Sequence, residues 1–390
     1  MKNVLLNQNL TEVDGRIVID TFRRARSEPN VPLNILWAID SLDRDDGPAV
    51  WFHYLRYLSK ESGHTFTVLS LKDGPLRAEY EQVCPVVIAG ELQADLAGRI
   101  TKLHNENRFD VAFVSSVETS WFPETLQQLD IPALWQLHPS VEQQLNEELT
   151  KKFEYPATIL FLNSAIAGKF KKLDPRGVSR ILPTGVDLAN IKTFKQKNSP
   201  FEWRAKYGIS NTAKVFTIVG PTIERKGQKM FVSAALRVLE QNPGKELDFM
   251  IAGARPGAYL TELETLIQQS GKAERFHLIP EKEDTFQYYP LHLISDAIVS
   301  CSTQEVFPLS ILEAMAMKKA VIGTSVFSTT EVIEPDENGF LVESGNHEEL
   351  AERINFLIEK TDYLDFFARR SLEIVYEKFQ FRKIAARLEE

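Results

Sequence analysis

Cysteine is scarce: only Cys84 and Cys301 occur in 390 residues, far apart in the chain. Neither a disulfide framework nor a zinc-thiolate site is indicated, and two lone thiols fit a reducing cytoplasm. Positive charge is also short, with 45 Lys and Arg against 54 Asp and Glu and a formal net charge of -9. That balance argues against nucleic acid as a partner, because neutralising phosphates needs surplus Lys and Arg on at least one face. No apolar run approaches the ~18 residues that span a bilayer, and residues 1–10 are too short of apolar length for a signal segment. Any membrane contact is therefore peripheral. No Gly-x-Gly-x-x-Gly follows a strand pattern, which disfavours a dinucleotide oxidoreductase. One local surplus of cations, Lys169, Lys171, Lys172, Arg176 and Arg180, reads first as a solvated helix face and second as a contact for anionic lipid.

The chain is too long for one ordinary core, and 43% hydrophobic with 25% charged residues supports globular packing in two domains. Residues 1–32 read as an arm, with a helix around Val13 to Arg26 ended by Pro29 and Pro32. Short apolar runs then follow at Asn34–Ile39, Phe66–Leu71, Val86–Ala89, Val111–Ser115, Ala133–Leu137 and Thr158–Leu162. Segments of helical spacing such as Trp51, Leu55 and Leu58 lie between them. After Leu182 to Asp187 and a polar stretch, the pattern restarts at Val215–Val219, Asp248–Ile251, His277–Ile279, Ala297–Ser300 and Ala320–Ile322. Near-continuous apolar strands separated by helices imply α/β architecture with parallel sheets covered on both faces. The expected organisation is an arm (1–32), a first domain (33–190), a second domain (191–362) and a helical segment (363–390) that packs on the second domain or crosses back to the first. No sequence repeat relates the halves.

In an open parallel sheet, ligands collect at the loops leaving the carboxyl ends of the strands. The segment after Ala297–Ser300 runs Ser302-Thr303-Gln304-Glu305-Val306-Phe307-Pro308-Leu309-Ser310-Ile311-Leu312-Glu313-Ala314-Met315-Ala316. Glu305 falls in the loop, Pro308 suits the first turn of a helix, and Glu313 lies about five residues inside it, ~7.5 Å along the axis. The amides of Leu309 and Ser310 then sit at a positive helix end between two carboxylates. Such a set suits a ligand with hydroxyls at both ends and a diphosphate in the middle.

This segment, with its flanking Phe307-Pro308-Leu309 and Glu313-Ala314-Met315-Ala316, resembles the Glu-x7-Glu signature of retaining GT-B glycosyltransferases, specifically glycosyltransferase family 4. The resemblance implies a GT-B fold, two Rossmann-like parallel-sheet domains facing a central cleft, with Glu305 on the donor sugar and Glu313 on the ribose. A second stretch, Gly220-Pro221-Thr222-Ile223-Glu224-Arg225-Lys226-Gly227 after Val215–Val219, is similar to the family's strand, Gly-Arg and Lys-Gly pattern. There an Arg and a Lys neutralise the leaving diphosphate. Lys226 matches, whereas Pro221 stands at the Arg position, which leaves Arg225 as the second cation. The stretch is no Walker loop, since Gln228 follows Gly227. His138, after Ala133–Leu137, matches a His that faces the acceptor and the reacting carbon. Gly47 stands where the family has a glycine-rich turn, and Ile279 and Pro280 lie in the loop whose main chain holds the base. Asp43 and Asp45 imitate a metal-binding Asp-x-Asp, but the resemblance is to a metal-free architecture.

The implied chemistry is transfer of a sugar from a nucleotide diphosphate donor, UDP-linked by preference, to a hydroxyl of a glycan, lipid or small-molecule acceptor, without metal or other cofactor. Two readings compete with it: a nucleotide-sugar epimerase on the same scaffold, and a non-catalytic GT-B binding module.

Overall fold

The computed structural model describes residues 31–43, 46–89, 96–137, 147–174, 176–282, 285–305, 307–326 and 328–389. The chain divides into two compact units, Met1–Pro183 with Arg382–Glu390, and Thr184–Phe381.

In the first unit β1 (Asn34–Ser41), β2 (Thr65–Lys72), β3 (Val86–Ile88), β4 (Val111–Ser115), β5 (Ala133–Leu137), β6 (Thr158–Phe161) and β7 (Ser179–Ile181) form one parallel sheet in the order β3-β2-β1-β4-β5-β6-β7. Its central strands β4 and β5 are buried along their whole length and mostly apolar because helices cover both faces. On one face Leu36, Ala38, Ala112, Val114 and Trp135 pack with Ile100, Phe122, Leu126, Phe153 and Phe170. On the other, Trp37 stacks on Phe113 with centroids 4.1 Å apart, and Trp51 of the helix Asp46–Glu61 tilts against the same ring at 4.9 Å. The Trp51, Leu55 and Leu58 stripe is thus the buried side of that helix.

The second unit repeats the plan with six parallel strands: β8 (Lys214–Val219), β9 (Leu247–Ala254), β10 (Phe276–Pro280), β11 (Ala297–Ser300), β12 (Ala320–Thr324) and β13 (Gly339–Val342). Their order is β10-β9-β8-β11-β12-β13. Phe216, Ile218, Phe249 and Ile251 bury one face beneath Phe231, Ala235 and Val238 of the helix Gln228–Gln241. Ile298 and Val321 bury the other beneath Ile311, Leu312 and Met315 of the helix Leu309–Ala316. The helix Thr361–Lys378 adds Leu364 and Phe367 to this unit's core and breaks at Phe379, whose carbonyl accepts from the Val186 N–H at 2.8 Å. A last helix, Phe381–Glu389, follows.

Each sheet therefore reverses its strand order once, between β1 and β4 and between β8 and β11. Chain leaving neighbouring strands in opposite directions opens a crevice at their carboxyl ends, the usual ligand position in such sheets. Two edge strands, β7 and β13, were not expected from the apolar pattern. The arm helix around Val13 to Arg26 lies outside the described residues, among which no helix is long and apolar enough to cross a membrane.

Candidate functional site

The second unit's reversal point is built on glycines that permit close backbone approach. Gly220 (φ +142°) follows β8 and Gly253 (φ +103°) lies within β9; a Cβ on Gly253 would run into the Gly220 carbonyl. Both conformations lie where L side chains are strained. The Gly220 N–H donates to the Ala252 carbonyl and the Thr222 N–H to the Gly253 carbonyl, each at 2.9 Å. A single 3₁₀ turn, Glu224–Lys226, then ends on Gly227 at φ +69°, where a Cβ would strike the carbonyl of Cys301 just past β11. The Lys-Gly pattern thus has a local cause: only glycine lets the loop after β8 lie against the loop after β11. The Thr303 N–H closes the junction by donating to the Arg225 carbonyl at 2.8 Å.

That junction brings two of the expected residues together. The Lys226 stem passes 3.5 Å from where a Cβ on Gly220 would stand, and its Nζ donates to Glu305 Oε2 at 2.8 Å. Glu305 is 6% exposed, and a carboxylate so buried needs a cation or donors beside it. It has both, since the buried Ser302 hydroxyl donates to the same Oε2 at 3.0 Å. The main chain is clamped from the β12 side: Thr324 Oγ1 donates to the Ser302 carbonyl at 2.6 Å and Ser328 Oγ to the Glu305 carbonyl at 2.9 Å. Ser302, Thr324 and Ser328 carried no readable signal, because a hydroxyl in a loop is ordinary until its partner is known.

The helix Leu309–Ala316 starts one residue later than expected. Pro308 stands just before the first turn, at φ −83° and ψ 70°, rather than inside it. The Leu309 N–H donates to the Phe307 carbonyl at 2.9 Å, so of the two amides expected at this helix end, one is already engaged. Phe307 meets Phe379 edge-on at 6.3 Å and anchors the loop to the core. Ser310 is half-buried in the first turn. Glu313 is buried one turn further in, its Oε2 3.5 Å from Nε2 of the fully buried His292. That separation is at the outer edge of hydrogen-bond range.

Arg225 contributes its carbonyl to the junction while its side chain is exposed. Ile279 is buried within β10 beside Ala252 of β9, and Pro280 is exposed where the strand ends. The loop beyond is braced by Arg255, which grips Glu281 through two 2.7 Å hydrogen bonds, and by the Tyr288 hydroxyl, which accepts from the Lys282 N–H at 2.8 Å.

In the first unit, Gly47 lies in the first turn of the helix Asp46–Glu61, and a Cβ there would meet nothing within 4 Å among the described residues. Packing among the described residues therefore does not require this glycine. The buried Tyr80 hydroxyl donates to the Pro48 carbonyl at 2.9 Å and fixes the same turn. Asp43 is exposed, whereas Asp45 and His138 lie outside the described residues. At this unit's reversal point stand Asp40, Ser116 and Glu118, with the Ser116 hydroxyl donating to Glu118. Burial raises the Asp40 carboxyl above its ordinary range, a hydrogen bond from its own backbone partly offsets this, and the Glu118 charge raises it again.

Residues 200–371, which lie in the second unit, match the family model described as Glycosyl transferases group 1. An uncharacterized glycosyltransferase of Methanocaldococcus jannaschii is 27% identical over 212 residues, 54% of this chain and 53% of that protein, so the match spans about half of that relative's length. The spore coat protein SA of Bacillus subtilis is 25% identical over 348 residues, 83% of this chain and 89% of that protein. Anabaena HepE, solved in complex with UDP-glucose, superposes with a TM-score of 0.75 at 19% identity, covering 92% of this chain and 98% of that one. The fold is that of GT-B glycosyltransferases, and the matches together support a glycosyltransferase.

Proposed function

We propose that this chain is a retaining, metal-independent glycosyltransferase of family 4 that takes a sugar from a nucleotide diphosphate, UDP-linked by preference, and passes it to an acceptor hydroxyl. The observation that carries the reading is the Lys226–Glu305 pair at the β8/β11 reversal point, a cation and a carboxylate side by side in the loops that leave these strands. The UDP-glucose bound by HepE supports the choice of donor class. In this reading Lys226 and the start of the helix Leu309–Ala316 stabilise the charge that grows on the departing diphosphate, an interaction strongest in the transition state. Glu305 holds the sugar hydroxyls, Glu313 the ribose, and the main chain around Ile279 and Pro280 the base. Arg225 offers the second cation that Pro221 cannot supply. His138 orients the acceptor hydroxyl, whose proton passes to the leaving phosphate, and Gly47 leaves room for a ligand against its helix end. Glycan, lipid and small-molecule acceptors are all compatible with this reading, as are a cytoplasmic location and peripheral membrane contact.

Pro221 in place of an arginine favours a second reading, a module that binds sugar nucleotides without turning them over. A thermal-shift and hydrolysis panel of UDP-, GDP-, ADP- and dTDP-sugars decides between them, with Glu305→Ala and Glu313→Ala beside the parent. One nucleotide class stabilises the parent and is slowly hydrolysed, and both substitutions weaken its hold. Stabilisation without turnover, even with acceptors added, would favour the module; no response to any donor would remove both readings.

A further inference from the structure

The Glu305 carboxylate is held by one edge. Its Oε2 receives both Lys226 Nζ at 2.8 Å and Ser302 Oγ at 3.0 Å, while Oε1 receives no hydrogen bond from the described residues. All three side chains are largely withdrawn from water: Ser302 is 1% and Glu305 6% exposed, and the Lys226 side chain 12%. Taking one partner from such a pair leaves a charge uncompensated and is strongly unfavourable.

We propose that Ser302 is a positioning residue for Glu305, and that the Lys226–Glu305 pair makes nucleotide recognition conditional on the attached sugar. The proposal rests on the donor reading above. A diphosphate that draws Lys226 to itself removes one of the two donors on Oε2, and Ser302 alone then keeps the carboxylate in place. Sugar hydroxyls donate to Oε1 and offset the loss. A bare nucleoside diphosphate takes the lysine and returns no donor to Glu305, so it binds at a disadvantage. Since bare diphosphate is what remains after transfer, the same arrangement favours its departure.

The frame around Ser302 suits this role. Its carbonyl is fixed by Thr324 and that of Glu305 by Ser328, so the hydroxyl is presented from main chain tied at two points, to the end of β12 and to the segment that follows it. Lys226 reaches the same oxygen from the loop after β8, a separate element with its own glycine-dependent geometry. The two anchors are therefore independent, and loss of one need not disturb the other.

The test is calorimetric binding to the full chain of three pairs: UDP and UDP-glucose, GDP and GDP-mannose, ADP and ADP-glucose. The pair that the parent binds is carried to Ser302→Ala and Glu305→Gln, with melting temperatures recorded alongside. Glu305→Gln is expected to bind the bare diphosphate about tenfold more tightly, because Lys226 is released, and the sugar nucleotide more weakly than the parent. Ser302→Ala is expected to lose about tenfold on the bare diphosphate, which then leaves Glu305 without any donor, the scale of one hydrogen bond to a charged group, and to lose less on the sugar nucleotide, whose hydroxyls still donate to Oε1. A merely structural role would shift both ligands alike, so equal shifts in both variants overturn the proposal while leaving the donor reading intact. If Ser302→Ala does not fold, the near-isosteric Glu305→Gln decides alone: an unchanged preference between the two ligands overturns the coupling. A parent that binds none of the pairs overturns the donor reading and this proposal with it.

Discussion

Where the first sheet reverses its order, between β1 and β4, stand Asp40, Ser116 and Glu118, with Lys72 acting on Asp40 from β2. Where the second reverses, between β8 and β11, Lys226 lies 2.8 Å from Glu305. The backbone topology is the same and the crevice position equivalent, yet the second sets a cation directly against a carboxylate, whereas at the first two carboxylates act on each other with Lys72 as a weaker opposing charge. Two carboxylates disfavour a diphosphate, so among the described residues the second reversal point is the better suited to one. The lesson is that a doubly wound sheet supplies a place, and the side chains that ring it decide the chemistry.

The largest effect that sharpens this contrast is on donor turnover. Lys226→Ala and Glu305→Ala should each lower hydrolysis of the sugar nucleotide on the order of 10²-fold or more, the usual consequence of removing a group that stabilises transition-state charge. Asp40→Asn and Glu118→Gln, at the other reversal point, should stay within about threefold in the same acceptor-free assay. A comparable loss in all four would break the division between the units.

Next in size is a difference between glycines. Gly227 adopts φ +69° beneath the Cys301 carbonyl, so Gly227→Ala adds both backbone strain and a steric clash, and urea denaturation should show a loss of about 3 kcal/mol or more. Gly47→Ala places its Cβ in open space within a helix, so stability should be unchanged or up to about 1 kcal/mol higher. Equal destabilisation would mean that Gly47 has a packing role after all.

The smallest expected effects are opposite pH trends in the two units. Because burial raises the Asp40 carboxyl, the folded state holds that proton more tightly than the unfolded chain does. Its contribution is complete at acid pH and is lost as pH rises through the raised value. Asp40→Asn should therefore be more stable than the parent near neutral pH and lose that advantage in acid. Burial lowers Lys319 in the second unit from 10.5 to about 8, with Asp296 opposing and Lys195 and Arg204 adding to the shift. Here stability is greatest above the ordinary lysine range and falls as pH drops through about 8. Lys319→Met should flatten the stability profile between about 8 and 10.5; a profile identical to that of the parent would refute the assignment.

Much of this was readable from residue patterns. Strands such as Val111–Ser115 and Ala297–Ser300 are buried from end to end and apolar up to a closing serine because both faces are covered, and that pattern survives without knowledge of partners. The edge strands escaped for the converse reason. Ser179–Ile181 contains one apolar residue because an edge is half solvated, and Gly339–Val342 begins with a glycine that reads as a turn. That glycine is in fact required, since a Cβ on it would strike the Val321 carbonyl of β12. At the candidate site, spacing singled out Glu305 and Glu313, which lie in one loop and the helix that follows it, whereas Lys226 was singled out by the family resemblance. Spacing could not reveal that Lys226 meets Glu305 or that Arg255 clasps Glu281, since these pairs form only when separate strands align, nor that Ser302 turns back within its own loop onto the same oxygen. Nor did it reveal that His292 would lie beside Glu313 in an otherwise apolar helix.

The claim that the second unit holds the donor is tested most directly by hydrogen exchange of the full chain with and without saturating UDP-glucose. Slowed exchange in residues 220–228, 279–282 and 302–313, with residues 40–48 and 115–119 unchanged, is the result expected. Protection confined to 40–48 and 115–119, or no protection anywhere, would contradict it.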